Sequence, residues 1–429
     1  MPSRPVRSLV CTLPAAALLL AAAVSPAGAA PGGANRTFTE LTRFEVSGEV
    51  AEILAVTPNG RTLLYTDSAD GEVGVVDLTR PDSPRTLGVV PVDGEPTSVT
   101  VTRDGRYALA VVDTSPSFTR PSGELAVIDL RTRTVVRTIQ LGGQPDSIAL
   151  SPNGSVAAIA IENERDEDLE VDGVEGGLPQ APAGFLAVVD LHGAPDRWRV
   201  DRVELTGLRG TLYPGDPEPE FVDINSKGIA AVTLQENNAV ALVDLARRRV
   251  VTSFSAGTVT RTDADTADDE TVSFDDRLQA PREPDAVQWT RDGNLVTADE
   301  GDLAAEPSGG RGWTVFSPTG KVVSTSGGSA EKALAAAGRY PDGRSDDKGA
   351  EFEGAEIASL KGTDYAFIGS ERGDAVLVYD LRDEARPQLL QVLPTGDAPE
   401  GLLAVQRQNL FLASNEDDGT ISVFQLGGR

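Results

Sequence analysis

The sequence contains almost no sulfur and almost no histidine. Its 429 residues include one Cys, one Met and one His. Cys11 and Met1 both belong to the N-terminal leader, so their removal would leave no thiol or thioether. That absence excludes disulfides, thiol nucleophiles, Cys-ligated zinc and Met- or Cys-ligated haem or copper. Any His-dependent catalytic triad or His-rich metal site would depend on His192 alone.

Basic and aromatic residues are also scarce. Lys and Arg number 38 against 66 Asp and Glu, which gives a formal net charge of −28 at pH 7, and aromatics make up 5% of the chain. A surface of this sign repels nucleic-acid phosphates and anionic lipids, so we expect no nucleic-acid partner and no membrane-surface role. The 44 Gly and 28 Pro are typical of many short strands joined by tight turns.

Long hydrophobic runs are confined to the N-terminus. Arg4 and Arg7 precede an apolar run from Leu13 to Val24, and Ala27-Gly28-Ala29 follows it. This pattern predicts a secretory signal peptide cleaved after Ala29. No later stretch is apolar enough to cross a membrane, so we expect a soluble extracellular or periplasmic product. The predicted divisions are a signal peptide over 1–29, a flexible segment over 30–36 and one domain over 37–429.

Seven copies of one pattern fill the predicted domain. Each copy has a short strand, a tight turn, a second apolar strand ending in an acid or amide, and a third strand that often ends in Val-Asp-Leu. Turns such as Pro58-Asn59-Gly60 and Arg291-Asp292-Gly293 place Gly where positive φ is inexpensive. The copies are Gly48–Leu78, Gly94–Leu130, Gly143–Leu191, Pro217–Leu245, Pro281–Gly320, Lys348–Leu381 and Asp397–Leu426.

The repeats predict an all-β fold, a seven-bladed β-propeller. A fourth strand follows most copies, and one four-stranded blade cannot bury both of its faces without neighbours. The segment Phe38–Val46 resembles a fourth strand, whereas the chain ends after a third strand at Leu426. We therefore expect the N-terminal strand to complete the last blade and close the ring. A solenoid or a pair of sandwiches would leave these complementary fragments unexplained.

Acidic residues recur at two equivalent places, the start of the innermost strand and the end of the second strand. Both places lie at one mouth of a propeller channel. Carboxylates that converge either take up protons or bind a cation, and oxygen ligands favour Ca²⁺, with Mg²⁺ or Mn²⁺ as alternatives. The candidate metal ligands are Glu220, Glu236, Glu283, Asp285, Asp299, Glu300, Asp346, Asp347, Glu353, Glu371, Glu400 and Glu416.

A structural interpretation of the same acids is equally open. They could accept hydrogen bonds from the backbone of neighbouring blades, or pair with Arg282 and Arg372, and so stabilise the ring. Arg344 and Lys348 occur in the loop before the sixth innermost strand. They are candidates for binding a phosphate beside a metal, although an internally salt-bridged loop is the alternative. The acid-rich segment Asp263–Asp276 lacks the Gly and terminal Glu of a calcium loop, so we interpret it as a solvated insertion.

Several segments, in order, resemble one family of exported proteins. They are Glu218-Pro219-Glu220, Leu234-Gln235-Glu236-Asn237-Asn238-Ala239, Arg282-Glu283-Pro284-Asp285, Ala298-Asp299-Glu300-Gly301-Asp302, Arg344-Ser345-Asp346-Asp347-Lys348-Gly349, Phe367-Ile368-Gly369-Ser370-Glu371-Arg372 and Ala398-Pro399-Glu400-Gly401. Together they resemble the choice-of-anchor I family, which is similar to mesenchyme-specific cell-surface glycoproteins. The resemblance implies a secreted or surface propeller, and members are often labelled alkaline-phosphatase-like.

Three functions follow from these observations. The first is a secreted binding or scaffold module whose acidic mouth holds Ca²⁺ and whose small-molecule or protein ligand and oligomeric state are unspecified. The second is a metal-dependent phosphoesterase in which Arg344 and Lys348 bind phosphate and metal-bound water attacks. Its metal would be held by Glu220, Glu236, Glu300, Asp346 and Glu371. The third is a lactone hydrolase.

Overall fold

The computed structural model describes residues 36–166, 168–301 and 308–427. The predicted signal peptide at 1–29, and all but the last residue of the segment 30–36, lie outside the described residues. In the described part, no helix is long and apolar enough to cross a membrane.

The described residues form seven four-stranded antiparallel sheets, each a blade of one ring. The four strands of each blade are given below in order from the innermost, which lies beside the central channel, to the outermost. Innermost strands contact each other from one blade to the next, and the last contacts the first. This architecture confirms the predicted seven-bladed propeller.

Blades one to six follow the chain in order, and blade seven takes its outermost strand from the N-terminus. Blade one comprises Leu54–Val56, Thr62–Asp67, Glu72–Asp77 and Arg85–Pro91, and blade two Glu95–Val101, Tyr107–Asp113, Gly123–Asp129 and Thr134–Gln140. Blade three comprises Pro145–Leu150, Val156–Ile161, Phe185–Asp190 and Arg199–Glu204, and blade four Pro219–Ile224, Ile229–Leu234, Ala239–Asp244 and Arg249–Ser255. Blade five comprises Pro284–Trp289, Leu295–Asp299, Gly312–Phe316 and Val322–Thr325, and blade six Ala355–Leu360, Thr363–Ser370, Ala375–Asp380 and Gln388–Pro394. Blade seven comprises Pro399–Val405, Leu410–Asn415, Thr420–Leu426 and Phe38–Glu45.

The N-terminal strand closes the ring as the sequence predicts. It pairs antiparallel with the third strand of blade seven, from Phe38 opposite Leu426 to Glu45 opposite Thr420. Phe38 is buried, and its ring meets the rings of Tyr365 and Phe367 edge-on at 5.5 and 5.3 Å between centroids. The closing strand is therefore held by both backbone pairing and aromatic packing.

The hydrophobic core lies between blades. In the described residues, seven apolar clusters each draw on two successive blades, including one shared by blades seven and one. Because a middle strand is covered on both faces, Val156–Ile161 and Ala239–Asp244 are almost continuously buried. Outermost strands such as Thr134–Gln140 alternate between exposed and more buried residues, as a half-covered edge requires.

A few elements lie outside the blades. The flanks of the acid-rich insertion pair as a hairpin, Thr258–Ala264 with Asp276–Pro281, so this part of the predicted insertion has regular structure. A helix covers Ser329–Ala336, and a two-residue hairpin joins Glu170–Val171 to Val174–Glu175. Short 3-10 turns occur at Pro195–Arg197, Asp342–Arg344 and Gln406–Gln408.

Candidate functional site: an acidic ring at the channel mouth

Four of the seven innermost strands begin with Pro, which sets the local geometry of the site. Pro145, Pro219, Pro284 and Pro399 each open a strand, and each pairs with the second strand just before a break in register. Such bulges redirect the side chains within them. The residue immediately after each Pro is an acid, and it faces the channel.

Seven equivalent positions, one from each blade, line a single cavity of about 200 Å³ at the channel mouth. Five of them carry carboxylates, here called the acidic ring: Asp146, Glu220, Asp285, Glu353 and Glu400. Blades one and two contribute Ile53 and Thr97 instead. The ring is thus acidic over five consecutive blades and neutral over two, an asymmetry that the weaker acid content of the first two copies indicates.

Burial raises the pKa of every carboxyl group in the acidic ring, and neighbouring acids raise it further. The pKa of Asp146 is raised to about 7, and those of Glu220, Asp285, Glu353 and Glu400 are raised well above the usual range. Glu162 lies beside the ring, and burial together with the charges of neighbouring acids raises its pKa well above the usual range. Repulsion between these buried carboxylates is therefore relieved only if some of them bind protons or if a cation binds among them.

Glu300 lies next to the acidic ring, directly after the second strand of blade five. It lines the same cavity, and its Oε2 accepts a hydrogen bond from Gln235 Nε2 at 2.8 Å. Its Oε1 lies 2.7 Å from Lys348 Nζ. Lys348, a predicted phosphate ligand, therefore sits at the edge of the cavity and compensates one of its acids.

Other predicted ligands do not line the cavity, and many contact cations or hydroxyl groups. Glu236 pairs with Arg165, and Asp299 accepts hydrogen bonds from Thr297 and Thr314 at 2.6 and 2.5 Å. Asp347 and Glu371 pair with Arg344 and Arg372 at 2.6 and 2.9 Å. Glu283 is buried, Asp346 is exposed and Glu416 is half-buried. The structure thus brings together Glu220, Asp285, Glu300, Glu353 and Glu400, and places the remaining candidates around them.

Arg344 contacts acids on both sides. Its Nη2 lies 2.6 Å from Glu351 Oε1 as well as from Asp347 Oδ2. Glu351 also pairs with Arg372 at 3.3 Å. The loop that carries Arg344 is therefore salt-bridged internally and to the start of blade six, which is the structural alternative for this residue.

The sequence interpretation missed Arg165. This buried guanidinium lies 3.2 Å from Asp216 and 2.6 Å from Glu218, and it also pairs with Glu236. It belongs to the loop that leaves the second strand of blade three and reaches the start of blade four. A single Arg inside the acid-rich run Glu162–Asp168 was the available signal, but nothing in the sequence identified its partners.

Two further acids, Asp223 and Glu356, were also missed. They lie deeper in the channel, lining a second cavity of about 350 Å³. Each lies in an innermost strand, three residues after a ring acid. Asp223 Oδ2 accepts a hydrogen bond from the backbone N–H of Trp289 at 2.8 Å, and Glu356 Oε1 accepts one from Ala404 at 3.1 Å. These two acids stabilise contacts between blades.

One compact acid cluster lies away from the ring. Asp67, Asp70 and Glu72 are the one set in the described residues that places a ligand atom of each within 4.8 Å of the others. Both Asp67 oxygens already accept backbone hydrogen bonds, from Glu49 and Asp70 at 3.1 and 3.0 Å. This cluster is explained by the turn that it closes.

Comparison with known proteins identifies both the sequence family and the fold. A family model described as "Choice-of-anchor I domain" matches residues 52–306 and 304–384. No curated protein sequence matches the chain. Among solved structures, the chain is similar to Kuenenia stuttgartiensis hydrazine synthase, with 18% identity, a TM-score of 0.57, and coverage of 89% of this chain and 97% of that chain. It is also similar to the β-propeller domain of Myceliophteria thermophila Cps50 (Swd1), with 11% identity, a TM-score of 0.57, and coverage of 91% of this chain and 100% of that chain. At these identities the similarity shows the propeller fold alone.

Proposed function

The chain belongs to the choice-of-anchor I domain family, and from this premise we propose that it is an exported β-propeller module that binds Ca²⁺ in its acidic ring. Export is supported by the family and by the predicted signal peptide over 1–29. The bound ion would form part of a surface at the channel mouth that binds an extracellular ligand.

The observation that carries the proposal is the convergence of five carboxylates from five consecutive blades on one cavity. Burial and mutual repulsion raise the pKa of all five groups. A cation at the centre would remove this repulsion, and it would lower those pKa values by stabilising the ionised form.

The chemistry of the cavity favours a hard cation. Its polar lining consists of carboxylates with Thr97, Ser98, Ser147 and Gln235, and Ca²⁺ accepts six to eight oxygen ligands in flexible geometry. Mg²⁺ demands a tighter octahedron and retains its waters more strongly. Ca²⁺ is therefore the ion we propose for this site, with Mn²⁺ and Mg²⁺ as the alternatives.

A binding role is better supported than phosphate chemistry. Arg344 is paired with Asp347 and Glu351, and Lys348 with Glu300, so both predicted phosphate ligands already compensate acids. The phosphoesterase and the lactone hydrolase stay predictions from the sequence. Assays of phosphate-ester and lactone turnover with Ca²⁺, Mg²⁺ and Mn²⁺ would test them directly.

We expect the double variant Glu353→Gln/Glu400→Gln to bind Ca²⁺ at least tenfold more weakly than the wild type. The two substitutions keep side-chain size and remove two adjacent ring charges. Isothermal titration of chelator-treated protein measures the dissociation constant and the number of ions bound.

The matched control is Glu49→Gln/Glu95→Gln, which removes the same charge from two exposed positions. This control should bind Ca²⁺ like the wild type. No uptake by the wild type at millimolar Ca²⁺, or equal weakening in both double variants, would contradict the proposal.

A further inference from the structure

A third cavity opens on the face opposite the acidic ring. The innermost strands of blades four and five start at ring acids Glu220 and Asp285 and end at Ile224 and Trp289. Those two end residues line a cavity of about 750 Å³ between the two blades. A cavity of this size is in the range of small-molecule binding sites.

Much of the cavity wall is apolar. Ile229, Leu242, Pro318 and Ile357 line it together with Trp289. The indole Nε1 of Trp289 is buried and has no hydrogen-bond partner in the described part of the chain. Because Trp289 is partly exposed while this nitrogen is not, any indole surface that faces the cavity is carbon.

Two cationic residues, Lys227 and Arg291, line this cavity. Both residues are exposed, and within the described ranges neither side chain makes a hydrogen bond or an ion pair. This differs from Arg165, Arg344 and Lys348, which compensate acids at the other face. In a chain with a net charge of −28, two unpaired cations beside an apolar wall distinguish this cavity from its surroundings.

The turns that carry the two cations are closed by hydrogen bonds. Asn225 Oδ1 accepts from the backbone N–H groups of Lys227 and Ile229 at 2.9 and 3.1 Å. Thr290 Oγ1 accepts from the N–H of Asn294 at 3.0 Å. Both cations therefore project from equivalent, ordered turns of adjacent blades. Two acids also line the cavity: Asp292 is exposed, whereas Asp223 is half-buried and accepts the hydrogen bond from the backbone N–H of Trp289.

We propose that this cavity binds an organic anion, a carboxylate or sulfonate carried on an apolar ring. The apolar ring would pack on Trp289 and its aliphatic neighbours, and Lys227 and Arg291 would pair with the acidic group. The adjoining cavity of about 190 Å³ shares Trp289, Arg291 and Asp292 and extends the wall to blade six, so a ligand with a second ring can be accommodated. The site is independent of the acidic ring.

The test uses 8-anilinonaphthalene-1-sulfonate, whose fluorescence rises when its rings enter an apolar site. We expect one probe molecule to bind per folded chain, with affinity unchanged by Ca²⁺ or by a chelator. The variant Lys227→Gln/Arg291→Gln should weaken binding at least tenfold. The uncharged analogue N-phenyl-1-naphthylamine should bind that variant and the wild type alike.

The matched control is Arg120→Gln/Arg131→Gln, which removes two exposed cations of blade two and should leave binding unchanged. Circular dichroism melting confirms that all variants are folded. Absence of saturable sulfonate binding by the wild type would overturn the proposal. Equal affinity of the wild type and the Lys227→Gln/Arg291→Gln variant would overturn it as well.

Discussion

Acids three residues apart at the start of one innermost strand have different roles at the residue scale. Glu353 lines the ring cavity, whereas Glu356 accepts a backbone hydrogen bond from Ala404 of the next blade. Glu220 and Asp223 divide in the same way in blade four. Three residues along the chain thus separate a group available for ligand binding from one committed to structure.

Glu356 should make the stability of the protein depend on pH. Burial raises its pKa to about 8, so the folded state binds a proton that the unfolded state releases near pH 4.5. Stability is therefore retained below pH 4.5 and falls as pH rises towards 8, by up to about 1.4 kcal/mol per pH unit for this group.

The variant Glu356→Gln should lose this dependence because its side chain does not ionise. Urea unfolding in chelator at pH 5, 6, 7 and 8 should show the variant gaining stability relative to the wild type as pH rises. Parallel stability profiles for the two proteins would rule out a raised pKa at Glu356.

The sequence analysis named four of the five ring acids as metal ligands, all but Asp146, and it missed neighbours such as Arg165 for a physical reason. Glu220, Asp285 and Glu400 follow a Pro at equivalent points of a repeat. A position recognised in one copy therefore predicts the same position in the other copies. Arg165 has no equivalent in other copies, and its partners Asp216 and Glu236 are 51 and 71 residues away along the chain. Repetition reveals position in a blade, but pairing between loops is set by tertiary packing.

At the scale of elements, the closing strand is the part of the fold that depends on the most distant contact in the chain. Phe38–Glu45 pairs with a strand more than 370 residues away in sequence. The sequence predicted this strand as Phe38–Val46, one residue longer, because blade seven lacked a fourth strand. The hairpin at Thr258–Ala264 was not predicted because its acidic sequence resembles a solvated loop.

Replacing Phe38 by Ala should destabilise the ring by about 3–5 kcal/mol, the usual effect of removing a buried aromatic side chain. Phe38 is 4% exposed and contacts three aromatic rings. The matched control is Leu41→Ala in the same strand, where the side chain is 37% exposed and the change should be less than about 1 kcal/mol.

Denaturant unfolding followed by tryptophan fluorescence measures both variants. Similar losses of stability at Phe38 and Leu41 would show that aromatic packing does not hold the closing strand.

At the scale of the whole molecule, the ring of blades separates two kinds of chemistry. The strand starts gather acids at one mouth, and the strand ends place Lys227, Arg291 and Trp289 at the other face. Because the chain has more acidic than basic residues, the cations of the protein do not balance every carboxylate at this mouth. A propeller is suited to this arrangement because every innermost strand runs in the same direction along the channel.

The most direct measurement is anomalous diffraction from crystals of the protein grown with Mn²⁺ in place of Ca²⁺. The account predicts a metal peak inside the ring, within about 2.5 Å of oxygens from at least two of the five carboxylates. That peak should disappear in Glu353→Gln/Glu400→Gln crystals grown under the same conditions. A well-ordered ring without a peak, or a peak confined to surface acids such as Asp70, would contradict the central claim.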